Sequence, residues 1–388
     1  MKALVVDAKW RPREGYPLTE GENIKKRALC GNQVWRNPRF EIKEVPTPNI
    51  NDDEVLIRVK TCGICGSDTH LYETDKEGYI IFSGLVALPC ILGHEFSGII
   101  EKVGEKVRSL KPGDAVAVES ILWCGICTPC RSGALNQCRN IDLAGLSSDG
   151  AFAEFTAVKE KYCWKLNGLR EIYKEKEIFE VGALIEPAGC AYNGMFANEG
   201  RLMPGNTFVV YGVGPIGLAA VALAKIAGAS KIIAFDKINE RLELAKSMGA
   251  DFVFDFDRLH SEDSRPSDKV LELTDGEGSD MQIEAAGAAP ETIPEMEKAM
   301  APNGKIIYLG RAATSTPMVL DALVSGANKI IGARGHAGYG IFPNIIKLLT
   351  SSRLDLRKMI TARYPFDEVI DAINVSSERT DGKIMIRI

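Results

Sequence analysis

The chain has 388 residues, 45% of them hydrophobic and 26% charged, and a formal net charge of −5. That length exceeds one ordinary core and predicts two domains. A mildly acidic balance excludes a nucleic-acid partner on charge grounds. The opening MKALVVDAKWRPR carries charges where a signal peptide would be apolar, so a cytoplasmic protein is expected.

In the first half, EVLIRVKT (54–61), FSGIIEKVG (96–104) and DAVAVES (114–120) read as strands separated by turns such as KPGD (111–114). No regular helix is expected among them, which predicts a mainly antiparallel, barrel-like domain. Two pieces of this half, CGICGSDTH (62–70) and LGHEFSG (92–98), gather Cys, His and acidic residues. These are the ingredients of an open metal site, with core packing of isolated Cys or His as the competing reading. Next comes LWCGICTPCRSGALNQC (122–138), which spaces Cys124, Cys127, Cys130 and Cys138 as C-x2-C-x2-C-x7-C. Four thiolates close a tetrahedral zinc site and leave no position for a substrate, so this loop reads as a structural staple. An iron–sulfur cluster is the alternative. In a reducing compartment such clustering favours metal over disulfides.

The run Leu202–Ala224 is uncharged and long enough to span a membrane. However, Pro204, Gly205, Asn206, Gly212, Gly214, Pro215 and Gly217 break it into strand, turn and helix, so no membrane association is expected. TFVVYG (207–212), KIIAFD (231–236), FVF (252–254), MQIEAA (281–286), KIIYLG (305–310) and KIIGA (329–333) are strand candidates with helices between most of them. This alternation predicts a doubly wound, six-stranded parallel sheet, an α/β Rossmann domain. Gly212-Val-Gly214-Pro215-Ile216-Gly217 matches G-x-G-x-x-G between a strand and a helix, the context of a dinucleotide fingerprint; a ligand-free structural turn is the bland alternative. Asp236 ends the next strand, 19 residues after Gly217, where a carboxylate binds ribose hydroxyls and repels a 2′-phosphate. NAD is therefore expected, with Arg241 a further cofactor-side candidate. The tail, with a helical NIIKLLTSS and a strand-like GKIMIRI, is expected to rejoin the first domain. The division is then 1–196 plus 342–388, and 197–341.

GICGSD, GHEFSG, the four-cysteine loop, the Glu186-Pro187 pair and YGVGPIG occur in the order seen in zinc-dependent medium-chain alcohol and polyol dehydrogenases, which the whole chain resembles. The resemblance implies a GroES-like, mainly β catalytic domain, a Rossmann cofactor domain and an active site between them. It also implies NAD and two zinc ions per chain, and a homodimer or homotetramer. Cys65 and His94 match catalytic zinc ligands, and Glu95 and Glu186 match the acidic positions around that metal. Ser67 matches the hydroxyl that relays the alcohol proton, with His70 continuing the relay. Asp68 matches the carboxylate that orients His94. Cys124, Cys127, Cys130 and Cys138 match the structural zinc lobe, leaving Cys62, Cys90, Cys163 and Cys190 as core thiols.

Two features depart from most of that family. About thirty residues are inserted between MKALVVDA and FEIKEVPTP (40–48), expected to form a surface or oligomer-contact elaboration. ARGHAGYG (333–340) offers Arg334 and His336 as substrate-side groups, against a packing role for the loop. With VWRNP, DKEGYIIFSGL and LWCGIC, these features look like the keto-inositol (scyllo-inosose) dehydrogenases. A polyol or cyclitol substrate is expected, with sorbitol-like and threonine-like activities as alternatives. An NAD-binding structural or regulatory protein is the non-enzyme alternative, and another divalent metal remains open at the catalytic site.

Overall fold

A computed structural model describes residues 1–311 and 315–388. The chain divides into two compact units. The first comprises Met1–Glu186, Ala362–Glu378 and Lys383–Ile388; the second comprises Pro187–Thr361 and Arg379–Gly382. The helix Ile341–Thr350 falls within the second unit, and the tail rejoins the first from Ala362 on, apart from Arg379–Gly382.

In the first unit, β1 (Lys2–Trp10) and β2 (Trp35–Glu44) form a long antiparallel hairpin. Its main sheet is built around β3 (Glu54–Gly63), β4 (Glu95–Val103) and β5 (Ala115–Val118), paired antiparallel. The closing strand Lys383–Arg387 pairs antiparallel with the other side of β3. These runs of alternating or continuous apolar residues bury Val55, Ile57, Val59, Phe96, Ile100, Val116, Ile384 and Ile386 in one core.

Helices do intervene in this half, contrary to the sequence expectation. The helix α1 (Gly66–Tyr72) follows β3 directly, and Glu175–Ala183 leads toward Glu186. α1 is only seven residues long and begins on glycine, too short for a helical periodicity to register. What fixes it is Asp68, whose carboxylate accepts the Cys65 N–H at 2.9 Å. Glu180 on the longer helix accepts from Arg363 at 2.8 Å and Arg387 at 2.9 Å, tying that helix to the closing strands.

The inserted segment lies largely at the surface, as expected, but it is anchored in the core. It lengthens the β1–β2 hairpin as far as Trp10 opposite Trp35, and buries Ala28, Val34 and Trp35 in the core of the unit. Trp10 and Trp35 meet edge to face at 5.0 Å, and the Trp35 indole N–H donates to the Val86 carbonyl. Thr19 and Glu22 form a capping box on the short helix Glu20–Lys25, and Glu22 also accepts from Tyr16 and the Leu29 N–H. Arg13 pairs with Asp75 and Glu77, so the insertion and the DKEGY stretch pack as one piece.

The second unit holds six parallel strands: β6 (Thr207–Tyr211), β7 (Lys231–Asp236), β8 (Phe252–Asp255), β9 (Ser279–Glu284), β10 (Met300–Tyr308) and β11 (Lys329–Gly332). Their order is β8-β7-β6-β9-β10-β11. This is the doubly wound dinucleotide-binding order, whose switch point lies at the carboxyl ends of β6 and β9. Among the described residues, no helix is long and apolar enough to cross a membrane.

Trp35→Ala should lower the unfolding free energy by about 3–5 kcal/mol, the usual cost of emptying a buried aromatic site. A urea titration checks it; an unchanged midpoint would place the inserted segment outside the core.

Candidate active site

Chain geometry alone brings the candidate metal ligands together. Cys65 sits in extended backbone between β3 and α1, and β4 begins at Glu95. Because β3 and β4 are antiparallel with Gly63 opposite Glu95, Cys65 and His94 arrive side by side. A Cβ on Gly63 would lie 2.5 Å from Glu95 Oε2, so this glycine makes room for the carboxylate. Gly93, at φ +89°, has no room for a side chain either: its Cβ would meet the Phe152 N–H and the Cys62 sulfur.

Cys65, His94 and Glu95 offer ligand atoms that all lie within 4.8 Å of one another. Glu186 stands outside that set; it is buried, and its Oε1 accepts from the Ser120 hydroxyl at 2.7 Å. Ser67 Oγ lies 3.3 Å from His94 Nε2, and His70 follows one turn later on α1. Asp68 is fully buried, and burial pushes its carboxyl up to about 6 against the pull of His94. Its Oδ1 is 3.8 Å from His94 Nδ1, too far for a hydrogen bond, so it acts on the ring as a charge. Burial alone would lower the His94 imidazole. The Cys65 sulfur and the Asp68 carboxylate overturn that and raise it well above its usual range. The residues therefore fit a divalent cation: one sulfur, one imidazole and one carboxylate converge in a field that favours positive charge.

The four-cysteine loop is equally organised. The Cys127 sulfur lies 3.4 Å from that of Cys130 and 3.8 Å from that of Cys138. Zinc–sulfur bonds of about 2.3 Å in a tetrahedron put sulfurs about 3.8 Å apart, so the set is at zinc spacing. Backbone N–H groups of Ile126 and Cys127 hold the Cys124 thiol down to about 6, and those of Cys130 and Arg139 lower Cys127. None of the ten cysteines, all among the described residues, forms a disulfide.

The glycine turn in the second unit connects β6 to the helix α2 (Pro215–Ala227). Gly212 has φ +87° and would clash with Ala286 if it carried a side chain, and a Cβ on Gly217 would lie 2.0 Å from the Gly212 carbonyl. Pro215 opens α2, and Pro215 and Ile216 are partly exposed in its first turn, whose N–H groups are free to meet phosphate. Asp236 accepts from Val213 N at 2.7 Å and Ile238 N at 3.0 Å, locking the turn to the end of β7. Arg241 lies across Gly214, with Nη1 3.5 Å from where a Cβ would be, and its Nε donates to the Asp381 carbonyl.

Arg334 is exposed, whereas His336 is fully buried against Phe342. Asn193 donates to the carbonyls of Arg334 and Gly335, fixing that loop on a π-helical turn, Asn193–Ala197. Two residues at these sites escaped the sequence reading. Asn193 is one. The other is Lys383, buried in the first unit, which donates to Glu95 Oε2 at 2.5 Å. Neither belongs to a spacing motif.

Residues 51–168 match the alcohol dehydrogenase GroES-like domain, and 215–351 match the zinc-binding dehydrogenase family. A scyllo-inosose 3-dehydrogenase from Thermotoga maritima is 38% identical over 384 residues, covering 96% of each chain. An L-threonine 3-dehydrogenase from Bacillus subtilis is 34% identical, over 89% of this chain and 94% of that protein. A solved structure from Thermotoga maritima superimposes with a TM-score of 0.94 at 36% identity, covering all of both chains. The chain belongs to the zinc-dependent medium-chain dehydrogenases. Within them it is a zinc-containing alcohol or polyol dehydrogenase, which sets aside the structural or regulatory reading.

Cys138→Ser should deprive the four-cysteine loop of its proposed metal and open residues 123–140 to protease. Zinc release to a chromogenic chelator, with limited proteolysis, checks this. A loop that stays resistant after losing its metal would contradict the staple role.

Proposed function

We propose that this enzyme oxidises a ring hydroxyl of a polyhydroxylated substrate, scyllo-inosose first among them, with NAD as the hydride acceptor. The observation that carries the substrate is the 38% identity to a scyllo-inosose 3-dehydrogenase across 96% of both chains. The Asp236 carboxylate at the end of β7 supports NAD over NADP, since a 2′-phosphate there would meet a like charge. Gly212, Gly214, Pro215, Ile216, Gly217 and Arg241 complete the proposed dinucleotide site.

Cys65 and His94, with Glu95 or Glu186, hold the catalytic zinc in this reading, and Cys124, Cys127, Cys130 and Cys138 hold the structural one. Zinc held there would supply Lewis-acid chemistry toward the substrate oxygen, and NAD in the second unit's glycine turn would supply the hydride acceptor. The chain's own part is the proton. Ser67 accepts it from the substrate hydroxyl and His70, one turn along α1, passes it on. Asp68 holds the charge balance at His94. Arg334 is proposed to read the substrate's remaining hydroxyls, while His336, fully buried on Phe342, takes the packing role for that loop. The edge strand β11, with exposed Leu320 and Val324 nearby, favours a homodimer or homotetramer; we place the enzyme in the cytoplasm.

The direct test is NADH formation with scyllo-inosose, myo-inositol, sorbitol, threonine and butane-2,3-diol, each offered NAD and NADP. The cyclitol ketone with NAD should give the highest kcat/KM. Preference for threonine or an open-chain polyol would overturn the substrate, and preference for NADP would overturn the role of Asp236. Cys65→Ala and His94→Ala should each abolish turnover while NADH still binds, as read by NADH fluorescence. Parallel loss of NADH binding would contradict this division of labour.

A further inference from the structure

Lys383 opens the closing strand and is 0% exposed. Its neighbours in that strand, Ile384, Met385 and Ile386, are apolar and equally buried. Among the described residues it is the one buried lysine. Taking an ammonium group out of water costs several kcal/mol per ion unless geometry and hydrogen bonds offset it. Here two contacts do so: Nζ donates to Glu95 Oε2 at 2.5 Å and to the Ile64 carbonyl at 2.7 Å. Strand pairing fixes both contacts. Met385 stands opposite Gly63, which stands opposite Glu95, and the Ile64 N–H donates to the Ile384 carbonyl. The side chain runs past Gly63, its Cδ 3.3 Å from where a Cβ would be.

Glu95 Oε2 thus has a cationic partner already, while the same carboxylate lies within ligand range of Cys65 and His94. We propose that Lys383 is a positioning residue of the metal centre: by holding Glu95, it keeps that carboxylate from closing the coordination position that a substrate oxygen must enter. The inference rests on the proposed metal site, read with Glu186 rather than Glu95 as the acidic ligand beside Cys65 and His94. It also distinguishes the two acidic candidates, for Glu95 is restrained by a buried ammonium and Glu186 by a hydroxyl. A group serving only to complete the strand would leave metal exchange untouched when replaced.

The test uses full-length enzyme with cobalt exchanged into the catalytic site, defined as the spectral component that His94→Ala removes. Lys383→Met should free Glu95 to coordinate. The visible cobalt bands should then weaken as coordination rises from four to five, and cobalt release to a chelator should slow by about ten-fold. Placed on Glu95→Gln, the same change should alter neither readout. Lys383→Gln keeps an N–H donor for the Ile64 carbonyl and carries the test if the methionine variant does not fold. A His94-dependent spectrum that ignores Lys383→Met or Lys383→Gln would overturn the proposal and leave the metal site standing. Absence of any His94-dependent spectrum would overturn the metal site itself. An effect of Lys383→Met that persists on Glu95→Gln would show that the lysine does not act through Glu95.

Discussion

One antiparallel register, Gly63 opposite Glu95, assembles the candidate metal site of the first unit. A strand's side chains alternate, so a slip of one residue on β4 would turn Glu95 to the other face and carry His94 away from Cys65. Much around this pair protects the register. Gly63 and Gly93 remove side chains that would force the strands apart, Asp68 ties Cys65 to α1, and the closing strand pairs with β3 from its other side. The cost is a dense group of buried charges: Asp68, Glu95, Glu186 and Lys383 all lie inside. Such a group is tolerated where each member is paired or where a cation balances the whole.

The second unit follows a different logic, with backbone as the recognition surface. Gly212 and Gly217 are there because a Cβ would strike Ala286 or the Gly212 carbonyl, and the resulting turn exposes the first N–H groups of α2. Asp236 braces that turn through Val213 and Ile238, so the carboxylate has a structural task besides any role toward ribose. The dinucleotide face and the metal face are thus built by separate means: steric openness in one, strand register in the other.

How much of this the residues announced depends on whether a spacing rule applies. The glycine fingerprint, the four-cysteine loop and the six strands of the parallel sheet obey such rules and were legible. Cys65, His94 and Glu95 were nameable only as candidates, because the register joining two distant segments is a tertiary fact. Helix α1 was missed because its seven residues begin on glycine and complete barely two turns. The surface character of the insertion shows in polar residues such as Arg13 and Lys26, but these mask the few that enter the core, Ala28, Val34 and Trp35. Lys383 was invisible for a simpler reason: a lysine at the start of a strand reads as solvent-facing, and only the contact with Glu95 shows otherwise.

The proposed function requires two chemically distinct metal positions, one closed by four sulfurs and one open at Cys65 and His94 with Glu95 and Glu186 beside them. Zinc counted per chain by native mass spectrometry, in the wild type and in His94→Ala, tests it most directly. Two ions in the wild type and one in the variant are the predicted result. An unchanged count in His94→Ala, or a single ion in the wild type, would contradict the account.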